Sequence, residues 1–197
     1  MKVLGRGWQY TTYDLGNGRV LKKYNGRLSG YRFILWEIFP FTGDKPWQIP
    51  GFYRGCKETA LDSMKKIPTT SVEPWMMGNP KVLNTLDYEQ DMMTPLHDLL
   101  DSAGVDKAKK IVDDFVALNK ILVEKGLIDK SFNITKNFGT DAEGRVILMD
   151  LGELYSSQAA IDIQRRERAW AKHYVVDPIK DAVVRAYFIE QMDLAFS

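Results

Sequence analysis

The chain has 197 residues, 45% of them hydrophobic, which suits one globular domain or two small lobes sharing a cleft. Its 27 lysines and arginines stand against 26 aspartates and glutamates, and a net charge of +1 excludes a global basic field for nucleic acid or an anionic membrane. Cys56 is the only cysteine, which excludes an internal disulfide and a thiolate zinc cluster; with no apolar leader in MKVLGRGWQY and no apolar run of bilayer-spanning length, the expectation is a soluble, cytoplasmic protein without a membrane span.

In chain order, Trp8 to Leu15 is rich in aromatic and β-branched residues, Gly16-Asn17-Gly18 offers positive φ, and Arg19 to Tyr24 resumes an extended pattern, so a hairpin opens the chain. Prolines 40, 46, 50, 68, 74 and 80 then punctuate the sequence up to about residue 84. Within that stretch Leu61, Met64 and Ile67 predict a helix over about Lys57 to Ile67, and Tyr31 to Phe39 suits either a helix or a buried strand. Leu86 to Met93 reads as a strand leading to a short helix over Pro95 to Ser102. Asp106 as cap, Ile111, Phe115, Leu118 and Leu122 as one apolar stripe, and Gly126 as terminator predict a long helix. Asn133 to Gly139, the turn Asp141 to Gly144 and the apolar run Val146 to Met149 read as a second hairpin. Helices are expected over Gln158 to His173 and from Asp177-Pro178 onward, the latter carrying Ile179, Val183, Ala186, Tyr187 and Leu194 inward. This order gives an α+β chain: residues 1–90 as a β-rich N-terminal lobe and 91–197 as a helical C-terminal lobe, with a cleft between lobes as the natural ligand site.

The run from Asn137 to Gly152 carries the chemistry. An amide and a carboxylate at the two ends of a tight hairpin can face one point, and both supply hard oxygen donors suited to magnesium. Gly152 lets the backbone turn just past Asp150.

Asn137, with Asp150 thirteen positions later in Asp150-Leu151-Gly152, resembles the catalytic hairpin of the protein-kinase-like superfamily, in which an asparagine and the aspartate of an Asp-Phe-Gly motif bind the metal. The N-terminus resembles it too, with Gly5-Arg-Gly7 ahead of Val20-Leu21-Lys22. The likeness is to small bacterial YrbL-type kinase-fold proteins, more distantly to lipopolysaccharide-core kinases and aminoglycoside phosphotransferases; it is specific over about residues 5–24 and 126–153. It implies a minimal two-lobed protein-kinase-like fold with a truncated helical C-lobe, ATP and Mg2+ as cofactors, and Asn137 and Asp150 as metal ligands. Gly5 and Gly7 would cover phosphates, Val20 roof the adenine and Lys22 reach the α- and β-phosphates. Strand alternation puts Val20 and Lys22 on one face and Lys23 on the other. Glu58 is the candidate helix partner of Lys22, with Glu37 the other option.

The chain departs from the pattern at the catalytic base. The kinase base lies five residues before the metal-binding asparagine, and here that position is Phe132. The nearest preceding acid is Asp129, with Lys130 beside it. Either a longer loop brings Asp129 to a substrate hydroxyl with Lys130 near the γ-phosphate, giving an ATP- and Mg-dependent phosphotransferase, or Asp129 caps a helix end and the protein is a nucleotide-binding pseudokinase. A domain without a nucleotide site is the third reading. The partners expected are a nucleotide and an unidentified protein or small-molecule acceptor, with no nucleic acid. No Ala-Pro-Glu segment follows Gly152, and the short remainder gives no expectation of activation-loop control. His97, His173 and the run Arg165-Arg166-Glu167-Arg168 read as surface or structural residues.

Overall fold

A computed structural model describes residues 1–38 and 46–196, side chains at 37, 38 and 46 excepted. The chain is mixed α/β and divides into two units, described separately below. The first holds residues 1–68 and 80–92, the second 69–79 and 93–197.

The first unit is built on an antiparallel sheet in the order β1-β2-β3-β5-β4, formed by β1 (Lys2–Arg6), β2 (Tyr10–Asp14), β3 (Arg19–Tyr24), β4 (Lys81–Val82) and β5 (Tyr88–Asp91). The β2–β3 hairpin closes as its residues require. Gly16 and Gly18 sit at φ 77° and 75°, Asp14 Oδ1 accepts from Gly16 N at 2.7 Å, and Leu15 N donates to Arg19 O at 3.1 Å. Register then sets the inner face. Val20 opposes Gln90 and Lys22 opposes Tyr88, all four buried, while Lys23 points out. Tyr10 packs edge-on to both Tyr24 and Tyr88, at 5.4 and 5.3 Å, the cross-strand aromatic contact that stabilises such sheets.

α1 (Arg27–Phe33) runs into a π-helical turn, Ile34–Ile38, so the stretch from Tyr31 is helical as far as it is described. α2 (Ile49–Lys66) starts eight residues before the expected Lys57, because Ile49, Cys56, Ala60 and Met64 extend one buried stripe through a glycine-bearing turn that composition alone would break. Cys56 is buried, and its carbonyl accepts from Gln9 Nε2 at 3.4 Å.

The second unit centres on α4 (Val105–Glu124), which packs chiefly against α8 (Ala182–Phe196) and follows a short α3 (Leu96–Ser102). Phe115 of α4 meets Phe138 edge-on at 4.6 Å and Phe188 at 5.8 Å. Gly104, not Asp106, occupies the cap of α4, and Asp106 lies in its first turn, where a carboxylate favours the helix dipole. Gly126 ends the helix at φ 70°, with Gly126 N on Val123 O and Leu127 N on Leu122 O, both at 2.9 Å.

β6 (Thr94–Pro95), which precedes α3, joins β8 (Phe138–Thr140) and β9 (Val146–Leu148) in one antiparallel sheet, and β7 (Ile128–Asp129), just past α4, pairs with β10 (Leu154–Tyr155). The segment expected as a strand from Asn133 is instead the helical turn α5 (Ile134–Asn137), since the Asn133 side chain caps it by accepting from Lys136 N at 3.2 Å. A Cβ on Gly139 would stand 2.8 Å from Thr94 O and 3.1 Å from Met93 Cβ. Gly139→Ala is therefore expected to cost about 1–3 kcal/mol, read as a lower urea midpoint at unchanged slope.

The helix expected over Gln158 to His173 breaks into α6 (Gln158–Arg166), a 3-10 turn (Ala169–Ala171) and α7 (His173–Val176). Arg168 takes a left-handed φ of 47° at the break, its Nε on Asp193 Oδ1 at 2.9 Å, with Trp170 Nε1 on the same oxygen at 3.0 Å. α8 begins at Ala182, with Asp181 Oδ1 accepting from Val183 N at 2.8 Å. Its buried face is Val184, Phe188, Met192 and Phe196; Val183 and Leu194 of the expected inward set are 54% and 76% exposed. Among the described residues no helix is long and apolar enough to cross a membrane.

Candidate functional site

In the second unit, the loop between β7 and α5 folds around one carboxylate. Asp129 is fully buried at the end of β7. Its Oδ1 accepts from Asn137 Nδ2 at 2.7 Å. Its Oδ2 accepts from Asn133 N at 3.0 Å and from both Ser131 N and Ser131 Oγ at 3.2 Å. Burial pushes the Asp129 carboxyl up to about 6 against the pull of these donors, and the charge of Asp150 adds to the rise. The loop can wrap so tightly because Phe132 adopts φ 52° and buries its ring edge-on to Trp170 at 5.8 Å, beside Phe196 at 5.5 Å.

The two ends of the following hairpin meet at Asn137. Its carbonyl accepts from Met149 N at 2.7 Å and Asp150 N at 3.0 Å, so the backbone holds Asn137 and Asp150 next to each other at this end of the hairpin. Both residues are half-buried, and Asp150 Oδ1 accepts from Gly152 N at 3.1 Å. The far end of the hairpin is held by Asp141, whose Oδ1 accepts from Arg145 N at 2.8 Å and whose Oδ2 accepts from Arg145 Nε at 2.7 Å. Arg145 lies over the Trp75 ring at 4.7 Å.

Lys130 and Glu153 are brought together by the β7–β10 pairing. Lys130 N donates to Glu153 O at 3.0 Å, and Lys130 Nζ stands 3.5 Å from Glu153 Oε1. Sequence reasoning missed Glu153, Ser131 and Asn133. Glu153 follows Gly152 directly, but no periodicity marks it as inward. Burial pushes its carboxyl up to about 7, opposed by Lys130 and helped by Asp129 and Asp150. A folded-state value above the ordinary 4.5 means that the folded protein holds a proton the unfolded chain has released. This contribution to stability is complete below about 4.5 and is lost as pH rises through about 7. Lowering the pH from about 7.5 to about 5 is thus expected to yield up to about 2 kcal/mol through Glu153, and Glu153→Gln to remove that part of the gain in urea unfolding.

In the first unit, Gly5 and Gly7 belong to the β1–β2 hairpin, with Gly7 N on Tyr10 O at 2.8 Å. Asn25 pins this loop, donating through Nδ2 to Gly7 O at 2.7 Å and accepting at Oδ1 from Thr11 Oγ1 at 2.7 Å. Val20 and Lys22 share the buried face of β3, and Lys22 Nζ lies 5.7 Å from the Tyr88 ring centre. Glu58 is exposed on α2, and the Glu37 side chain lies outside the described residues. The His97 side chain is 44% exposed, with Nε2 3.6 Å from Asp101 Oδ2.

The donor types suit magnesium as a hard cation: an amide oxygen and a carboxylate on two neighbouring, half-buried residues. Among the described residues no group of three or more His, Cys, Asp or Glu side chains could hold a metal ion. A two-residue set fits a cation that takes its remaining ligands from phosphates and water.

No family model and no curated protein matches the chain. Among solved structures, Rv3197 of Mycobacterium tuberculosis, in complex with erythromycin, aligns with a TM-score of 0.51 at 12% identity, over 91% of this chain and 53% of its own. WbdD in complex with the kinase inhibitor LY294002 aligns with a TM-score of 0.50 at 12% identity, over 100% of this chain and 46% of its own. A second WbdD structure, which names it a bifunctional kinase-methyltransferase, aligns at 0.47 and 14% identity, over 96% of this chain and 43% of its own. The chain spans about half the length of these proteins. At such identities the likeness speaks for the fold alone, one shared with Rv3197 and with WbdD.

Proposed function

We propose that the protein is a magnesium- and ATP-dependent phosphotransferase that moves the γ-phosphoryl group to a hydroxyl of a protein or small-molecule acceptor. The observation that carries this is the double acceptance by the Asn137 carbonyl of Met149 N and Asp150 N, which brings the amide-bearing Asn137 and the carboxylate-bearing Asp150 together at one end of the hairpin. Asn137 and Asp150 hold Mg2+, which neutralises charge on the phosphates. In the first unit the Gly5–Gly7 hairpin covers phosphates, Val20 roofs the base and Lys22 supplies a fixed positive charge. A buried strand lysine suits that role, because an ammonium removed from water regains most by meeting an anion. Lys130 stabilises charge on the transferred group. The motifs resemble those of the YrbL-type proteins.

The test is transfer of labelled γ-phosphate from ATP to the protein, to a cell extract or to a panel of small hydroxyl compounds. Magnesium-dependent label on an acceptor is expected; nucleotide binding without transfer to any acceptor overturns the assignment. That second outcome is the pseudokinase reading, favoured by buried Phe132 at the position where kinases carry their base.

A further inference from the structure

We propose that Asp129 is a positioning residue for Asn137 and not the group that accepts the acceptor's proton. The inference rests on the magnesium-nucleotide reading above and assigns the inner workings of that site. A general base has to offer a lone pair to a substrate hydroxyl. Asp129 is 0% exposed, and four donors from its own loop and α5 already occupy its oxygens, three of them on Oδ2. What its geometry does accomplish is to fix an amide. With Asn137 Nδ2 committed to Asp129 Oδ1 at 2.7 Å, the amide cannot flip, and its oxygen is left pointing away from Asp129 as the one atom available to a cation. A carboxylate behind a metal ligand also raises the ligand's donor strength, the usual service of an outer-shell partner.

The chemistry does not require a base at this position. In phosphoryl transfer the acceptor O–H bond breaks, the new O–P bond forms and the bond from phosphorus to the ADP oxygen breaks. The proton passes to an oxygen of the transferred phosphoryl group or to water, with no further co-reactant. Positioning and charge neutralisation carry most of such catalysis.

The experiment compares magnesium-dependent binding of a non-hydrolysable ATP analogue, by calorimetry, with turnover. The proteins are wild type, Asn137→Ala, Asp129→Asn and the double variant. Asp129→Asn is expected to weaken binding about tenfold or more, as loss of an outer-shell partner does, and the double variant to bind no worse than Asn137→Ala. Binding unchanged in Asp129→Asn while turnover collapses overturns the positioning role and restores the base. Should Asp129→Asn not fold, Asn137→Asp decides: it keeps an oxygen ligand and adds charge but loses the donor to Asp129. Weaker binding supports the proposal, and equal or tighter binding overturns it. Failure of the wild-type protein to bind the magnesium nucleotide overturns the nucleotide reading itself, a result separable from the other two.

Discussion

Phe132→Asp, which places an acid where kinases carry their base, is expected to unfold the loop around Asp129 and to confer no activity. Phe132 is fully buried between Trp170 and Phe196. Removing a buried aromatic side chain costs about 3–5 kcal/mol. A carboxylate left among those rings adds a desolvation penalty that no neighbouring cation offsets among the described contacts, and it would protonate before it stayed charged. Aspartate tolerates the left-handed φ of 52° better than phenylalanine, a gain too small to compensate. Urea unfolding should show a loss of about 4 kcal/mol or more, and transfer should be absent. A variant as stable as wild type and faster in transfer would show that the loop readily exchanges one register for the other.

Asp150→Asn is the second large effect, and it acts on chemistry with little effect on folding. The carboxylate is half-buried, and an asparagine oxygen can still accept from Gly152 N. What disappears is the negative charge proposed to hold magnesium. Turnover is expected to fall by about 10²–10³-fold or more, the scale of losing one preorganised electrostatic element, while the urea midpoint without ligand moves little. Near-normal turnover in this variant would place the cation elsewhere.

These expectations show which parts of the molecule were legible from residues alone. The β3 alternation was, because a period of two leaves no choice once Val20 and Lys22 share the buried face. The α4 stripe was, since Ile111, Phe115, Leu118 and Leu122 recur at helical spacing and all are buried. β1 was not, because every residue from Lys2 to Arg6 is exposed and no apolar alternation marks the strand. The break at Arg168 depends on Asp193, and such long-range partners leave no local trace. In α8 apolar residues lie all around the helix, so periodicity could not tell Val184 from Val183. At the site, the spacing of Asn137 and Asp150 was readable. The four donors on Asp129 were not, because a left-handed residue and two backbone amides in an irregular loop produce them.

Whether Asn137 and Asp150 hold magnesium for a bound nucleotide is decided by thermal unfolding with ATP in the presence of Mg2+ or of EDTA. At a hundredfold excess of ligand over its Kd the folded state gains about 2.7 kcal/mol, which for a chain of this size raises Tm by several degrees. That rise is expected in wild type with Mg-ATP, with its loss in EDTA and its loss with Mg-ATP in Asp150→Asn. An equal rise in all three conditions, or none in any, would contradict it.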